Sequence, residues 1–210
     1  LRVEETLENP QKFDGSQLKV NWKDVIEPSV VPAAIVMILT ASCSGIIFVL
    51  APDISGFLGI ENKGFFFGFY VISTIFVRLF TSSLSDRIGR RETMLIGVCI
   101  LLLSMILLSR VDSYSSFVLA AIVFGLATGV SSPTLFAWTA DLSHIKRRGV
   151  GAGTIFIALE AGIMLGSSST IITYDNTPQS IQNVFVFGVI MSILAILYLL
   201  WHKTYRTSDF

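Results

Sequence analysis

Charge is what this sequence has least of. Of its 210 residues, 14% are Asp, Glu, Lys or Arg, against about 25% in soluble globular domains. The two signs cancel at fifteen each, so bulk charge gives no reason to expect a nucleic-acid partner. Two cysteines exclude a disulfide framework. Cys43 and Cys99 fall inside apolar runs, where a thiol behaves as a small hydrophobe. The two histidines, His144 and His202, lie in separate basic stretches, far from either cysteine, so no metal site is expected. There is no His-Glu-x-x-His, no Gly-x-Ser-x-Gly and no phosphate-cradling glycine loop. That argues against a metalloprotease, a serine hydrolase and an ATP-driven pump. No catalytic residue and no cofactor is assigned.

What is present is apolar. Hydrophobic residues make up 52% and the mean hydropathy is +0.71, which excludes disorder. A membrane-spanning helix needs about 20 mostly apolar residues. Six runs meet that need, at about 31–51, 64–84, 93–109, 115–139, 149–172 and 181–201. The expected fold is all-α, an integral membrane bundle of six helices in a lipid bilayer.

Basic residues fall on one side of the expected bundle. Arg2, Lys12, Lys19 and Lys23 precede the first run; Arg87, Arg90 and Arg91 follow the second. Lys146, Arg147 and Arg148 follow the fourth, and Lys203 and Arg206 follow the sixth. Lys63 and Arg110 lie on the other side, and Arg78 lies inside a run. The positive-inside rule puts the richer side, and with it both termini, in the cytoplasm. Compact loops suit a bacterial inner membrane.

Residues 1–30 read as a polar cytoplasmic linker, and residues 206–210 as a short cytoplasmic tail. Within the linker, residues 17–27 suit either an amphipathic surface helix, with Leu18, Trp22, Val25 and Ile26 on one face, or a plain linker. A chain beginning with Leu and thirty polar residues reads as a piece of something longer. Pro28 and Pro32 mark entry into the first span.

The spans differ in kind. The first carries Thr40, Ser42, Cys43, Ser44 and Gly45, and the fourth carries Thr128, Ser131, Ser132 and Pro133. Polar, breakable helices belong beside other helices or a water-filled path, so Thr40, Ser44, Thr128 and Ser132 are candidate path-lining residues. The second and fifth carry small-residue spacings, Gly64/Gly68 and Gly162/Gly166, that allow close helix contact. The third and sixth are plainly apolar. Polar, small, plain, then polar, small, plain suggests two repeats of three helices.

Between the second and third spans, Ser82-Ser83-Leu84-Ser85-Asp86-Arg87-Ile88-Gly89-Arg90-Arg91 packs an acid, a glycine and three arginines into a tight turn. This stretch resembles the loop signature of the major facilitator superfamily, Gly-x-Leu-x-Asp-Arg-x-Gly-Arg-Lys/Arg, through Leu84, Asp86, Arg87, Gly89, Arg90 and Arg91. The run from Asp141 through Arg148 to Gly149 resembles that family's other cytoplasmic loop, and Gly162–Ser167 its fifth-helix pattern. The resemblance implies one six-helix half, the C-terminal one, of a twelve-helix transporter, with an N-terminal half as partner. It implies that the first and fourth helices line a substrate path, and that the second and fifth face the other half.

Two charges lie within spans. Arg78 is about 9 Å inside the boundary, where a long arginine can also snorkel to the surface; it lies on one helical face with Ser82 and Asp86 and is expected to join them, Asp141, Arg148 and Gly149 in a gate network, with direct contact to a substrate as the alternative. Glu160 lies near the centre of the fifth span, where a carboxylate needs a partner or a task; proton coupling, contact with a cationic substrate, and a neutral hydrogen-bonded acid between halves all fit. The reading is a secondary transporter of a small solute, with proton-coupled export of a drug-like molecule, sugar or metabolite as the family-level expectation. The alternatives are a self-contained six-helix channel or scaffold, and a fragment inert without its other half.

Overall fold

Prolines and capping hydroxyls set the helix starts. The computed structural model describes residues 25–81 and 84–202. A 3-10 turn, Pro28–Val30, feeds α1, Val31–Phe57, which has Pro32 in its first turn. Proline fits there because the first N–H groups of a helix have no partner to lose. Then come α2, Phe65–Thr81, a short helical turn, Leu84–Ile88, and α3, Arg90–Ser109. Ser113 caps α4, Tyr114–Leu142, through a capping box with Ser116. A second 3-10 turn, Ile145–Arg147, leads to α5, Arg148–Thr173. Thr177 and Ser180 form the same box at the start of α6, Pro178–Trp201.

The described residues are all helix and connecting turn. Five of the six long helices are long and apolar enough to cross a membrane; α2 is apolar but has 17 residues. The largest departure from the expected boundaries is at the end of α1. α1 continues six residues past Ala51, because Ile54 and Ser55 are buried and hold the extra turn in place. The linker before residue 25, most of the expected surface helix and the tail lie outside the described residues.

α1 packs against α5 and α6, α4 packs against α2 and α3, and α3 meets α6. Glycine sets the first of these seams. A Cβ on Gly162 would sit 2.6 Å from the Ile38 carbonyl oxygen, and one on Gly166 would overlap the Ser42 carbonyl. The second seam does not use the small-residue spacing of α2. Gly68 is exposed, with open space where its Cβ would be, and Gly64 precedes the helix. Gly125 and Gly129 of α4 make the close approach instead, against Tyr70, Ser73 and Thr74 of α2.

Two apolar clusters fill the bundle. One lies toward the end carrying Arg90 and Arg147, called here the basic end, and includes Val36, Met94, Val98, Leu135, Ile155 and Leu199. The other includes Ile46, Leu50, Phe66, Met105, Phe117 and Phe124. The outer faces of α2 and α5 are uncovered: Ile72, Leu79, Phe80, Ile171 and Ile172 are each more than two-thirds exposed.

Candidate functional site

Gly89 makes the basic turn possible. Its φ of +103° lies where side chains are strained, and a Cβ there would meet the Glu92 carboxylate at 2.6 Å. The reversal brings Arg90 back over the preceding turn. Its Nη1 donates to Asp86 Oδ1 at 2.5 Å and to Ser85 Oγ at 2.6 Å, and its Nε donates to Asp141 Oδ2 at 2.8 Å. Arg90 sits at a helix N-terminus and Asp141 in the last turn of α4, each at the end the helix dipole disfavours. Pairing them relieves both and ties α3 to α4. Arg90 keeps a quarter of its side-chain surface exposed, so water reaches these bonds.

The neighbouring arginines do other things. Arg91 donates through Nε to the Leu199 carbonyl at 2.6 Å and through Nη2 to that of Leu200 at 3.1 Å, capping α6. Leu84 is half-buried beneath the turn. Arg87 and Arg148 are exposed and make no hydrogen bond or ion pair with a described residue, and Gly149 faces open space. The turn motif and Asp141 therefore meet, but Arg148 and Gly149 stand aside.

Arg78 also stands apart. Asp86 is held by Arg90, not Arg78, and Ser82 lies outside the described residues. Arg78 opens instead into a pocket of about 410 Å³ with Thr81, Ser132, Pro133 and Phe136. Pro133, inside α4, has no N–H to give the Gly129 carbonyl, so the usual helical bond is absent there.

The four candidate path residues come together. Thr40 and Ser44 from α1 and Thr128 and Ser132 from α4 line one cavity of about 50 Å³, where the two apolar clusters meet. Thr40 Oγ1 donates to the Val36 carbonyl and Thr128 Oγ1 to that of Phe124, so their oxygens still have lone pairs to offer. Ser131, also in the lining, is 6% exposed, and its Oγ has no hydrogen-bond partner among the described residues.

Glu160 lies midway along α5, exposed on the face that carries Phe156, Ile157 and Met164, with no partner among the described residues. Within this chain it is therefore not an acid packed between helices.

Two polar ties were not anticipated. Glu27, 6% exposed, pairs with Arg147 Nε at 3.0 Å, and its backbone N–H donates to Thr154 Oγ1 at 2.8 Å. At the opposite end, Tyr174 bonds Asp53, and that pocket also includes Lys63. Burial, then the bond to Asp53 and the charges of Asp53 and Asp175, push Tyr174 up to about 12. The acid just before the first 3-10 turn, Glu27, and the acid just after Pro52, Asp53, were the available signals, but their partners are distant in sequence.

A family model described as the Major Facilitator Superfamily matches residues 33–209. Over 106 residues, 50% of this chain, the sequence is 24% identical to multidrug resistance protein 2 of Bacillus subtilis (strain 168), of which it covers 26%. Over 125 residues, 59% of this chain, it is 25% identical to solute carrier family 2, facilitated glucose transporter member 10 of Danio rerio, of which it covers 24%. The chain thus spans about a quarter of the length of each relative. The family match covers most of the chain, and it makes this a transporter sequence rather than an enzyme: the chain belongs to the Major Facilitator Superfamily.

Proposed function

We propose that this chain is the C-terminal six-helix half of a twelve-helix secondary active transporter. It moves a small solute (a drug-like molecule, a sugar or a metabolite) by alternating access, with proton-coupled export as its direction and driving force. Its membrane is a bacterial inner membrane, with both ends of the segment in the cytoplasm. The observation that carries the reading is the meeting of Thr40, Ser44, Thr128 and Ser132 in one cavity between α1 and α4. Hydroxyls turned inward between apolar clusters suit a path for a polar solute. Reciprocal packing of α1 on α5 and α6, and of α4 on α2 and α3, favours two three-helix repeats about that path. The uncovered apolar faces of α2 and α5 favour an N-terminal half as the partner that covers them.

Arg90 then serves as a clamp at the cytoplasmic mouth. Its bonds to Asp86, Ser85 and Asp141 hold one conformation, and the solute or a proton offsets their loss as the halves rock. Glu160, mid-helix on the uncovered face of α5, is the candidate for taking up that proton.

The test uses the full-length protein in liposomes with a fluorescent drug-like dye and a hexose as solutes. Flux should saturate and be competed by unlabelled solute. Asp86→Asn should slow it strongly at normal expression, and Glu160→Gln should remove its dependence on a pH gradient. Flux that rises linearly with concentration would overturn the reading in favour of a channel.

A further inference from the structure

We propose that the solute moved by this protein carries an anionic group, a carboxylate or phosphate, and that Arg78 and Ser132 receive it; the proposal rests on the transporter reading above. Arg78 is the one charged residue of α2. A guanidinium does not shed its charge under any physiological condition, and a charge in a membrane helix that serves nothing is selected against by its insertion cost. The acids at the basic end are engaged elsewhere: Asp86 and Asp141 both bind Arg90. Among the described residues, no carboxylate pairs with Arg78.

Its surroundings are those of a receptor for a small organic anion. The pocket of about 410 Å³ is within the range of small-molecule sites, roughly 300–1,000 Å³. It combines one fixed cation with the hydroxyls of Thr81 and Ser132 and the ring of Phe136. A guanidinium fork matches two oxyanion oxygens at once, the hydroxyls can donate to a third, and the ring can cover an apolar remainder. Ser132 lines this pocket and the α1–α4 cavity as well, so an anion held by Arg78 stands at the edge of the path. Next to Ser132, Ser131 also lines the cavity, but its buried hydroxyl is turned toward Gly97 of α3, which leaves Ser132 as the hydroxyl shared by pocket and path. The same arginine repels a cationic solute from this entrance. An anionic lipid headgroup offers the same oxygens, so the experiment separates the two sources.

Thermal unfolding of the full-length protein in a neutral detergent is followed with acetate, benzoate, inorganic phosphate or benzylamine added. At least one of the three anions should raise the midpoint of the wild type by about 3 °C near saturation, and benzylamine should not. Arg78→Gln should lose most of that shift, Arg78→Lys should keep part of it, and Ser132→Ala should weaken it. If Arg78→Gln does not fold, the lysine and alanine variants and the wild-type series decide. The proposal is overturned if none of the anions shifts the wild type, if benzylamine shifts it equally, or if the shift is undiminished in both Arg78→Gln and Ser132→Ala (in Arg78→Lys and Ser132→Ala, should Arg78→Gln not fold). It is also overturned if dioleoylphosphatidylglycerol micelles stabilise the wild type and soluble anions cannot displace them, since the headgroup is then the ligand. The readout is binding, not flux. Loss of liposome transport with the anion shift intact would fault the transporter reading alone; transport of neutral or cationic solutes without any anion shift would fault this proposal alone.

Discussion

Along the seam between α1 and α5, glycines occupy the middle and polar groups close the ends. Gly45, Gly162 and Gly166 let the two backbones touch. Glu27 with Thr154 and Arg147 ties one end, and Asp53 with Tyr174 ties the other. The seam between α2 and α4 is arranged the other way. Its hydroxyls are in the middle, where Ser73 Oγ donates to the Ile122 carbonyl at 2.8 Å and Thr74 Oγ1 to that of Gly125 at 3.2 Å. Its glycines, Gly125 and Gly129, are all on α4. The difference matters because water reaches the ends of a spanning helix and not its middle. End ties can exchange for water when helices shift; mid-seam bonds, once broken, leave carbonyls in hydrocarbon. The α2–α4 seam is therefore the stiffer against sliding, and the α1–α5 seam is the one that resists substitution.

The largest effect should come from Gly166→Leu. The new Cβ would collide with the Ser42 backbone, which cannot step aside as a side chain could. Overpacking against a yielding neighbour costs about 1–3 kcal/mol, and this site should exceed that range. No folded protein is expected in detergent by size-exclusion chromatography. Gly68→Leu is the matched control: its site is open, so folding of this half should be unchanged. If Gly166→Leu folds normally, the glycine account of the α1–α5 seam is broken.

That pair of glycines also marks how far the sequence could be read. The six runs anticipated the long helices to within a few residues at most ends, because hydropathy is what puts a helix in a bilayer. The end of α1 escaped it: Pro52 and Asp53 end the apolar run, but buried Ile54 carries the helix on. The Gly-x-x-x-Gly spacing identified a close-packing face on α5 within this bundle; that Gly68 of α2 faces away from the bundle was not legible, because spacing shows that residues are small and not which way they point. That Thr40, Ser44, Thr128 and Ser132 turn inward to one cavity was legible because a polar side chain in an apolar helix has to turn away from lipid. The partners of Arg90 were only half legible. Asp86 is four residues away, whereas Asp141 is 51 positions distant, and no local pattern carries that pairing. The expected Arg78–Asp86 face failed for a related reason: helical spacing put the two side by side, but the turn gave Asp86 a closer cation.

A middle-sized effect should come from removing the mid-seam donors together. Ser73→Ala with Thr74→Val keeps the shapes and deletes both bonds to α4. Inter-helix hydrogen bonds in membranes average about 0.6 kcal/mol each and reach about 1.7. The double variant should lose about 1–2 kcal/mol against unfolding in dodecyl sulfate titration. Glu27→Gln, at the watery end of the other seam, should lose no more than about 1 kcal/mol, because Arg147 stays partly exposed and regains water. A larger loss for Glu27→Gln than for the double variant would reverse the comparison between ends and middles.

The smallest effect is also the most local, at the far tie of the α1–α5 seam. Tyr174 is raised from its ordinary value of 10.0 to about 12 by burial, by its bond to Asp53 and by the nearby carboxylates. The folded state thus holds this proton more tightly than the unfolded chain does. The stabilisation is fully present below pH 10 and is lost as pH rises from about 10 toward 12. Asp53→Asn removes one carboxylate charge and leaves burial and Asp175 in place, so Tyr174 should titrate lower than in the wild type but still above 10. The measurement is tyrosinate absorbance during alkaline titration, with Tyr174→Phe subtracted to isolate this residue from the other four tyrosines. An unchanged titration in Asp53→Asn would mean that burial and Asp175 hold the proton without Asp53. The far end of the seam would then have no polar tie, and the contrast with the α2–α4 seam would rest on the Glu27 end alone.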